Sequence, residues 1–217
     1  MEFDDLSTLI KSRRSIRRWQ DKAVPSKMLT EAIDVAIWAP NGGNRQNWRF
    51  YVIVNGKTIK SIADKVQNTA DLMASWPESQ EFPKEVSRWR ENASFFRSAP
   101  AAIAVAAAQY SSIADKILTA RGKTDHQALQ ICAWRDTANT RIQSVASAVA
   151  YLLLVLHKMG LGAVWMTGPM QAAGEIEKIL QVPSDMNLVA FIPVGYPAES
   201  PEPKPRRPVE EVCQIMS

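Results

Sequence analysis

The sequence predicts one mixed α and β domain, with about four strands and six or more helices. Three observations carry this. Short runs of β-branched, aromatic or small apolar residues recur among longer stretches whose apolar residues return every three or four positions. Clusters of Gly, Pro and Asn punctuate them. The 217 residues can bury a sizeable core, and no shift in composition marks a domain boundary.

In order along the chain, Phe3, Leu6, Leu9 and Ile10 stand at helical spacing, and extended chain runs from about Arg13 to a turn at Pro25. Ser26 to Trp38 reads as a helix, with Ser26 placed to cap it, and stops at the breaker cluster Ala39-Pro40-Asn41-Gly42-Gly43-Asn44. Trp48 to Val54 is aromatic and β-branched, a strand, and Thr58 to Met73 is helical. Residues 74–97 carry Trp76, Phe82, Trp89, Phe95 and Phe96 among charges and prolines, which suits either a lid over a flat ligand or a surface helix with one buried face. Ala101 to Gln109 reads as a buried central strand and residues 110–127 as irregular. Ala128 to Met159 reads as one long helix ending at Gly160, the expected C-terminal cap. Strands at Ala163–Thr167 and Leu188–Val194 flank a helix at Gln171–Gln181. Prolines at 197, 201, 203, 205 and 208 make the end an extended arm.

Composition excludes several classes. A net charge of +4 is too weak to mark a nucleic-acid binder but is compatible with an anionic ligand. Cys132 and Cys213 have no partner spacing, so neither a disulfide framework nor a zinc motif is expected, and a reducing, cytoplasmic compartment is. The N-terminus has no apolar core of a signal peptide. The longest apolar stretch, Val145–Leu156, is shorter than the roughly 20 residues a membrane span needs, and reads as a buried helix. Neither glycine signature for nucleotide phosphates is present. His126 and His157 suggest no triad, and no carboxylates stand at metal spacing.

Three segments carry chemistry. Five cations lie in Lys11-Ser12-Arg13-Arg14-Ser15-Ile16-Arg17-Arg18, where a helix gives way to extended chain. Guanidinium groups with a serine hydroxyl suit a phosphate monoester; cations at a helix C-terminus also favour its dipole. The loop from Pro40 to Gln46 offers backbone amides, close approach at its glycines, and carboxamides for a heterocycle edge. Lys204-Pro205-Arg206-Arg207 adds cations on a stiff arm.

Taken in order, Arg13-Arg14-Ser15-Ile16-Arg17-Arg18, the block from Ala39 to Phe50, Gly160-Leu161-Gly162-Ala163-Val164-Trp165-Met166-Thr167-Gly168, Pro193-Val194-Gly195-Tyr196-Pro197 and Lys204 to Pro208 resemble the FMN-dependent nitroreductase family. The resemblance runs from about Leu6 to Val212 and is weakest between 70 and 130. It implies an α+β fold over 1–217, a mainly antiparallel sheet completed by a strand from the partner, a variable or lid region at 71–127 and an arm at 198–217. It also implies a homodimer with FMN at the interface. Arg13, Arg14, Ser15 and Arg17 would hold the phosphate, ribityl chain and pyrimidine edge; Pro40, Asn41, Gly42, Asn44 and Gln46 would reach the flavin from the partner; Met166, Thr167 and Gly168 would lie along the ring; Lys204 and Arg206 would close over the phosphate.

No metal and no side-chain base is expected, because flavin chemistry carries the reaction, tuned by Arg17 and the Gly168 backbone. NAD(P)H would give hydride and depart before a nitroaromatic, quinone or similar flat acceptor binds. This chain has Asn47 where the family usually has Pro, and Thr167-Gly168-Pro169 where many members carry an acid, which bears on how nicotinamide is oriented. Two other classes compete: another FMN enzyme on the same scaffold, a reductive dehalogenase or a flavin-cleaving enzyme, and a non-enzymatic nucleic-acid-binding module.

Overall fold

A computed structural model describes residues 2–216; Met1 and Ser217, the outermost positions of the expected domain and arm, lie outside the described residues. Four strands, β1 (Trp48–Ile53), β2 (Ala101–Ala108), β3 (Gly162–Ala163) and β4 (Met186–Gly195), form an antiparallel sheet in the order β1-β2-β4-β3. Around it lie α1 (Phe3–Ser12), α2 (Ser26–Ala36), α3 (Gly56–Ala74), α4 (Pro83–Asn92), α5 (Ile113–Arg121), α6 (His126–Ala138), α7 (Thr140–Lys158) and α8 (Ala173–Leu180). This is the expected α+β architecture.

β2 takes the centre because its residues are small and apolar on both faces. Ala101, Ile103, Val105 and Ala107 meet Leu29 and Ala32 of α2 and Val145, Val149 and Leu152 of α7. Ala102 and Ala104 belong to the core on the other side, with Ile59 and Ile62 of α3, Ile176 of α8, Phe96 and Phe191. The two-residue period of a strand divides them this way. Each fully buried Leu or Ile adds about 1.5–3 kcal/mol, so the sheet is a rigid platform for what its edges carry.

Several expectations change. Ser26 opens α2 without capping it: Pro25 holds the cap position and no side-chain bond forms there. Residues 110–127 are not irregular. Ser112 and Asp115 form a capping box, with the Ser112 hydroxyl accepting from the Asp115 amide at 3.1 Å and the Asp115 carboxylate from the Ser112 amide at 2.7 Å, and this starts α5. The expected long helix is two. Asn139 adopts left-handed backbone (φ 40°), ending α6, and its side chain accepts from the Ile142 amide to start α7. At the far end of α7 the expected glycine cap is present: Gly160 has φ 77°, its amide donates to His157 O, and Leu161 donates to Leu156 O at 2.9 Å.

The strand expected at Ala163–Thr167 shrinks to β3 plus a lone bridge between Met166 and Phe191. Opposite the gap stands Pro193, which has no N–H to donate. The helix expected at Gln171–Gln181 is α8, preceded by a tight 3-10 turn over Gly168–Ala172. The arm has no regular secondary structure from Glu199 to Pro208 and continues into a 3-10 turn over Val209–Glu211.

Candidate functional site

The chain leaves α1 at Arg13 in extended conformation and runs beside β3. Ser15 pairs with Ala163, the Ile16 amide donates to Ala163 O at 3.1 Å, and Trp19 Nε1 donates to Gly162 O at 2.9 Å. Two glycines facing each other in the sheet permit this approach. A Cβ on Gly162 would lie 2.6 Å from the Ile16 side chain, and one on Gly195 would lie 2.5 Å from Pro100 and 2.9 Å from Trp19. The same strand meets the start of the C-terminal arm. Gln20 N donates to Tyr196 O at 2.9 Å, Ala198 N to Arg18 O at 3.0 Å, and one oxygen of Glu199 accepts from the amides of both Arg17 and Arg18.

Beyond this junction the two ends of the chain enclose an open cleft of about 820 Å³. Arg13, Arg14, Ser15 and Arg17 line it from the N-terminal side, and Lys204 and Arg206 from the arm. Leu153 and Leu154 of α7 and Trp165 make an apolar wall, and Glu202 is the carboxylate among the lining residues.

The cations crowd one another. Burial, then the neighbouring charges of Arg14 and Arg206, hold the Arg13 guanidinium below its ordinary value. His157, at the C-terminal end of α7, exchanges a 3.0 Å hydrogen bond with Ser12; burial, then Arg13 and Arg14, lower its pKa. Arg14 serves both readings of the basic cluster. Its Nη1 donates to Lys11 O at 2.6 Å and Arg13 O at 2.9 Å, satisfying the helix end, while its Nε is buried without a protein acceptor among the described residues. A buried donor left over, amid mutually repelling guanidiniums, fits an oxyanion with several oxygens.

The other expected site residues lie elsewhere in this chain. The Pro40–Gln46 loop is fixed to the opposite end of α7: Ser147 Oγ donates to Pro40 O at 2.8 Å, and Gly42 N donates to Ser144 Oγ at 3.4 Å. Its turns use left-handed backbone at Gly43, Asn44 and Gln46, and Asn41 Oδ1 accepts from the Gln46 amide at 2.9 Å. The cleft takes Ala150, Leu153 and Leu154 of α7 into its lining but no residue of this loop, so the loop does not line the cleft of its own chain. Met166 packs against the α3–α8 side of the sheet, and Thr167 and Gly168 are exposed just past Trp165.

None of the aromatics of residues 74–97 lines the cleft. Phe96 is fully buried, its ring 4.8 Å from that of Phe191, and Phe95 stacks on Trp19. Arg90 of α4 pairs with Asp71 of α3 at 2.9 Å, which docks that segment on α3. α4 itself has no fully buried residue. Sequence reasoning missed Leu153, Leu154 and Trp165. The signal was there: α7 holds more apolar residues than one buried face uses. Glu199 gave none. Among the described residues no group of three or more His, Cys, Asp or Glu is placed to hold a metal.

The sequence model described as the Nitroreductase family matches residues 10–196. An iodotyrosine deiodinase of Thermotoga neapolitana is 29% identical over 215 residues, covering 95% of each chain. A BluB-like flavoprotein from Clostridium difficile 630 superposes over the whole of both chains with a TM-score of 0.85 at 24% identity, which shows a shared fold. An iodotyrosine deiodinase solved with FMN and 3-iodo-L-tyrosine is 27% identical, with a TM-score of 0.69 over 94% of this chain and 95% of that one. The match takes in the arginine strand, the central sheet and the paired glycines, and on that ground this chain belongs to the nitroreductase family of oxidoreductases.

Proposed function

We propose that this protein is an FMN-dependent oxidoreductase, working as a homodimer, that takes reducing equivalents from NAD(P)H and passes them to a flat oxidised acceptor such as a nitroaromatic or a quinone. One observation carries the reading: cations from the two ends of the chain, Arg13, Arg14 and Arg17 with Lys204 and Arg206, converge on one cleft beside Ser15. The FMN in the related deiodinase structure supports it.

The residues present fit the group. Arg13, Ser15, Lys204 and Arg206 would hold the phosphate, with Arg14 Nε giving its unused donor. When bound, FMN supplies the hydride-accepting and hydride-donating ring. Arg17 shares a side of the extended strand with Ser15, roughly 7 Å further on, within reach of the rest of the nucleotide. A guanidinium there stabilises negative charge on the ligand, and Leu153, Leu154 and Trp165 exclude water from one wall. Thr167 and Gly168, exposed beside Trp165, offer backbone donors.

The Pro40–Gln46 loop is the reason for the second copy. Fixed to α7 at Ser144 and Ser147 and absent from the lining of its own chain's cleft, it would complete a site by serving that of a partner. The exposed Val35 of α2 and Tyr151 of α7, with Trp38 just past the end of α2, offer apolar surface for such a partner.

The visible spectrum of the purified protein is the test. A yellow protein with two flavin bands, bleached by NADH or NADPH and restored by a nitroaromatic or quinone, is expected. A colourless protein that takes up no added FMN overturns the proposal. The 29% identity to a deiodinase favours a second reading, reductive removal of halogen from a halophenol. Iodide release from 3-iodotyrosine by the reduced protein, without turnover of nitroaromatics, would select it.

A further inference from the structure

We infer that Glu199 is a positioning residue, a latch that ties the C-terminal arm to the arginine strand and thereby brings Lys204 and Arg206 into the cleft. The inference rests on the cleft being a phosphate site. Glu199 sits half-buried where the two chain ends meet. One of its carboxylate oxygens accepts from the Arg17 and Arg18 amides, the latter at 3.1 Å. Bonds of this charge-assisted kind are the strong ones.

The stretch of arm beyond Glu199 makes the latch decisive. Among the described residues, its hydrogen bonds are internal: Arg206 Nη1 to Lys204 O and Pro205 O, and the turn after Pro208. Lys204 and Arg206 reach the cleft without any bond to the body of the protein. Prolines at 201, 203 and 205 hold the intervening backbone extended. At about 3.1 Å per residue, Arg206 stands roughly 20 Å from the fixed point, so a small rotation at Glu199 becomes a displacement of several ångströms at the guanidinium. Stiffness makes the arm a lever, and Glu199, the last contact after the Ala198 amide's bond to Arg18 O, sets where the lever points. The same carboxylate fixes the backbone of Arg17 and so registers both cation sets against each other.

Linkage runs both ways: an anion gripped by Arg13 and Arg206 orders the arm, and an ordered arm strengthens the grip. The arm carries its own reporter. Lys204 and Arg207 each precede proline, which leaves the Arg206–Arg207 bond as its site for trypsin.

The experiment compares the holoprotein with Glu199→Ala and Glu199→Gln. FMN affinity is measured by flavin fluorescence, and cleavage at Arg206–Arg207 by mass spectrometry. Glutamine keeps an oxygen that accepts both amides but loses the charge, so it should fall between wild type and alanine. Alanine should weaken FMN binding and speed cleavage by about tenfold or more, the scale of bonds to a charged group. If alanine leaves the arm as protected as in wild type, or if glutamine is as loose as alanine, the latch is wrong. Should Glu199→Ala fail to fold, Glu199→Asp, a methylene too short to hold both amides, takes its place with the same expectation. If the wild type binds no FMN, the cleavage rates still decide the latch and only the cofactor reading falls.

Discussion

Arg13 works against the fold that carries it. Burial and the charges of Arg14 and Arg206 push its guanidinium below the usual range, so the ligand-free protein bears a cost that a bound anion relieves. Arg13→Ala should therefore weaken FMN binding by about 1.5–3 kcal/mol, the worth of a hydrogen bond to a charged group, while leaving the melting temperature of the ligand-free protein unchanged or raised. Fluorescence titration and calorimetry together check this, and a fall in both quantities contradicts it. His157 titrates beside the same charges. Its folded pKa lies below the ordinary 6.5, through burial and then Arg13 and Arg14. The unfolded chain thus binds the proton more readily, so this stability is present above the unfolded value and is lost as pH falls through it toward the folded one. Wild type should lose melting temperature between about pH 7 and pH 5, and His157→Gln should lose less. The carboxylate of Asp115, held at about 2, gives its own loss with the same sign in a lower range, so the difference between the two proteins isolates the histidine. At this scale the sequence was readable where chemistry is carried by residue type. Arginines beside a serine suit an oxyanion, as they also suit a helix end. Glu199 does not announce itself, because its work depends on which amides it faces.

At the scale of elements, period and punctuation located most helices and strands. They failed where one residue changes the backbone's direction. Asn139 looks like an ordinary polar residue in a helical run, and only its left-handed backbone separates α6 from α7. The Ser112–Asp115 box was legible in principle but is masked by the weakly periodic stretch around it. The packing of the arginine strand on β3 was not legible. It depends on Gly162, far away in sequence, leaving room for Ile16. Gly162→Ala should then cost about 1–3 kcal/mol, as overpacking does, and should lower both melting temperature and anion affinity. A variant that melts like wild type would mean that β3 can shift away from Ile16 at little cost. The neighbouring Gly160 answers to a different need, a positive φ at a helix end with open space around it.

At the scale of the whole molecule, the antiparallel sheet with helices on both faces results from alternation in β2 and from two amphipathic layers. Cofactor and partner are a different matter. Nothing in composition or period brings residues 13–17 to residues 204–206; the blocks shared with a known family suggested it, and the strand-to-arm junction around Glu199 is how this chain achieves it. The aromatics of 74–97, which suited either a lid or a surface helix, illustrate the converse. Aromatic density says that surface must be covered, and in this chain Phe95 and Phe96 are used by Trp19 and the core.

A cleft built from both ends of a chain also has a place in time. On the ribosome, the arginines of the amino-terminal segment emerge early and stay without their counterpart until residue 206 has been made. A polypeptide halted at Pro203 would carry β1 to β4 and α1 to α8, yet own half a binding site. Closure of the cleft from both sides therefore waits until residue 206 has been made.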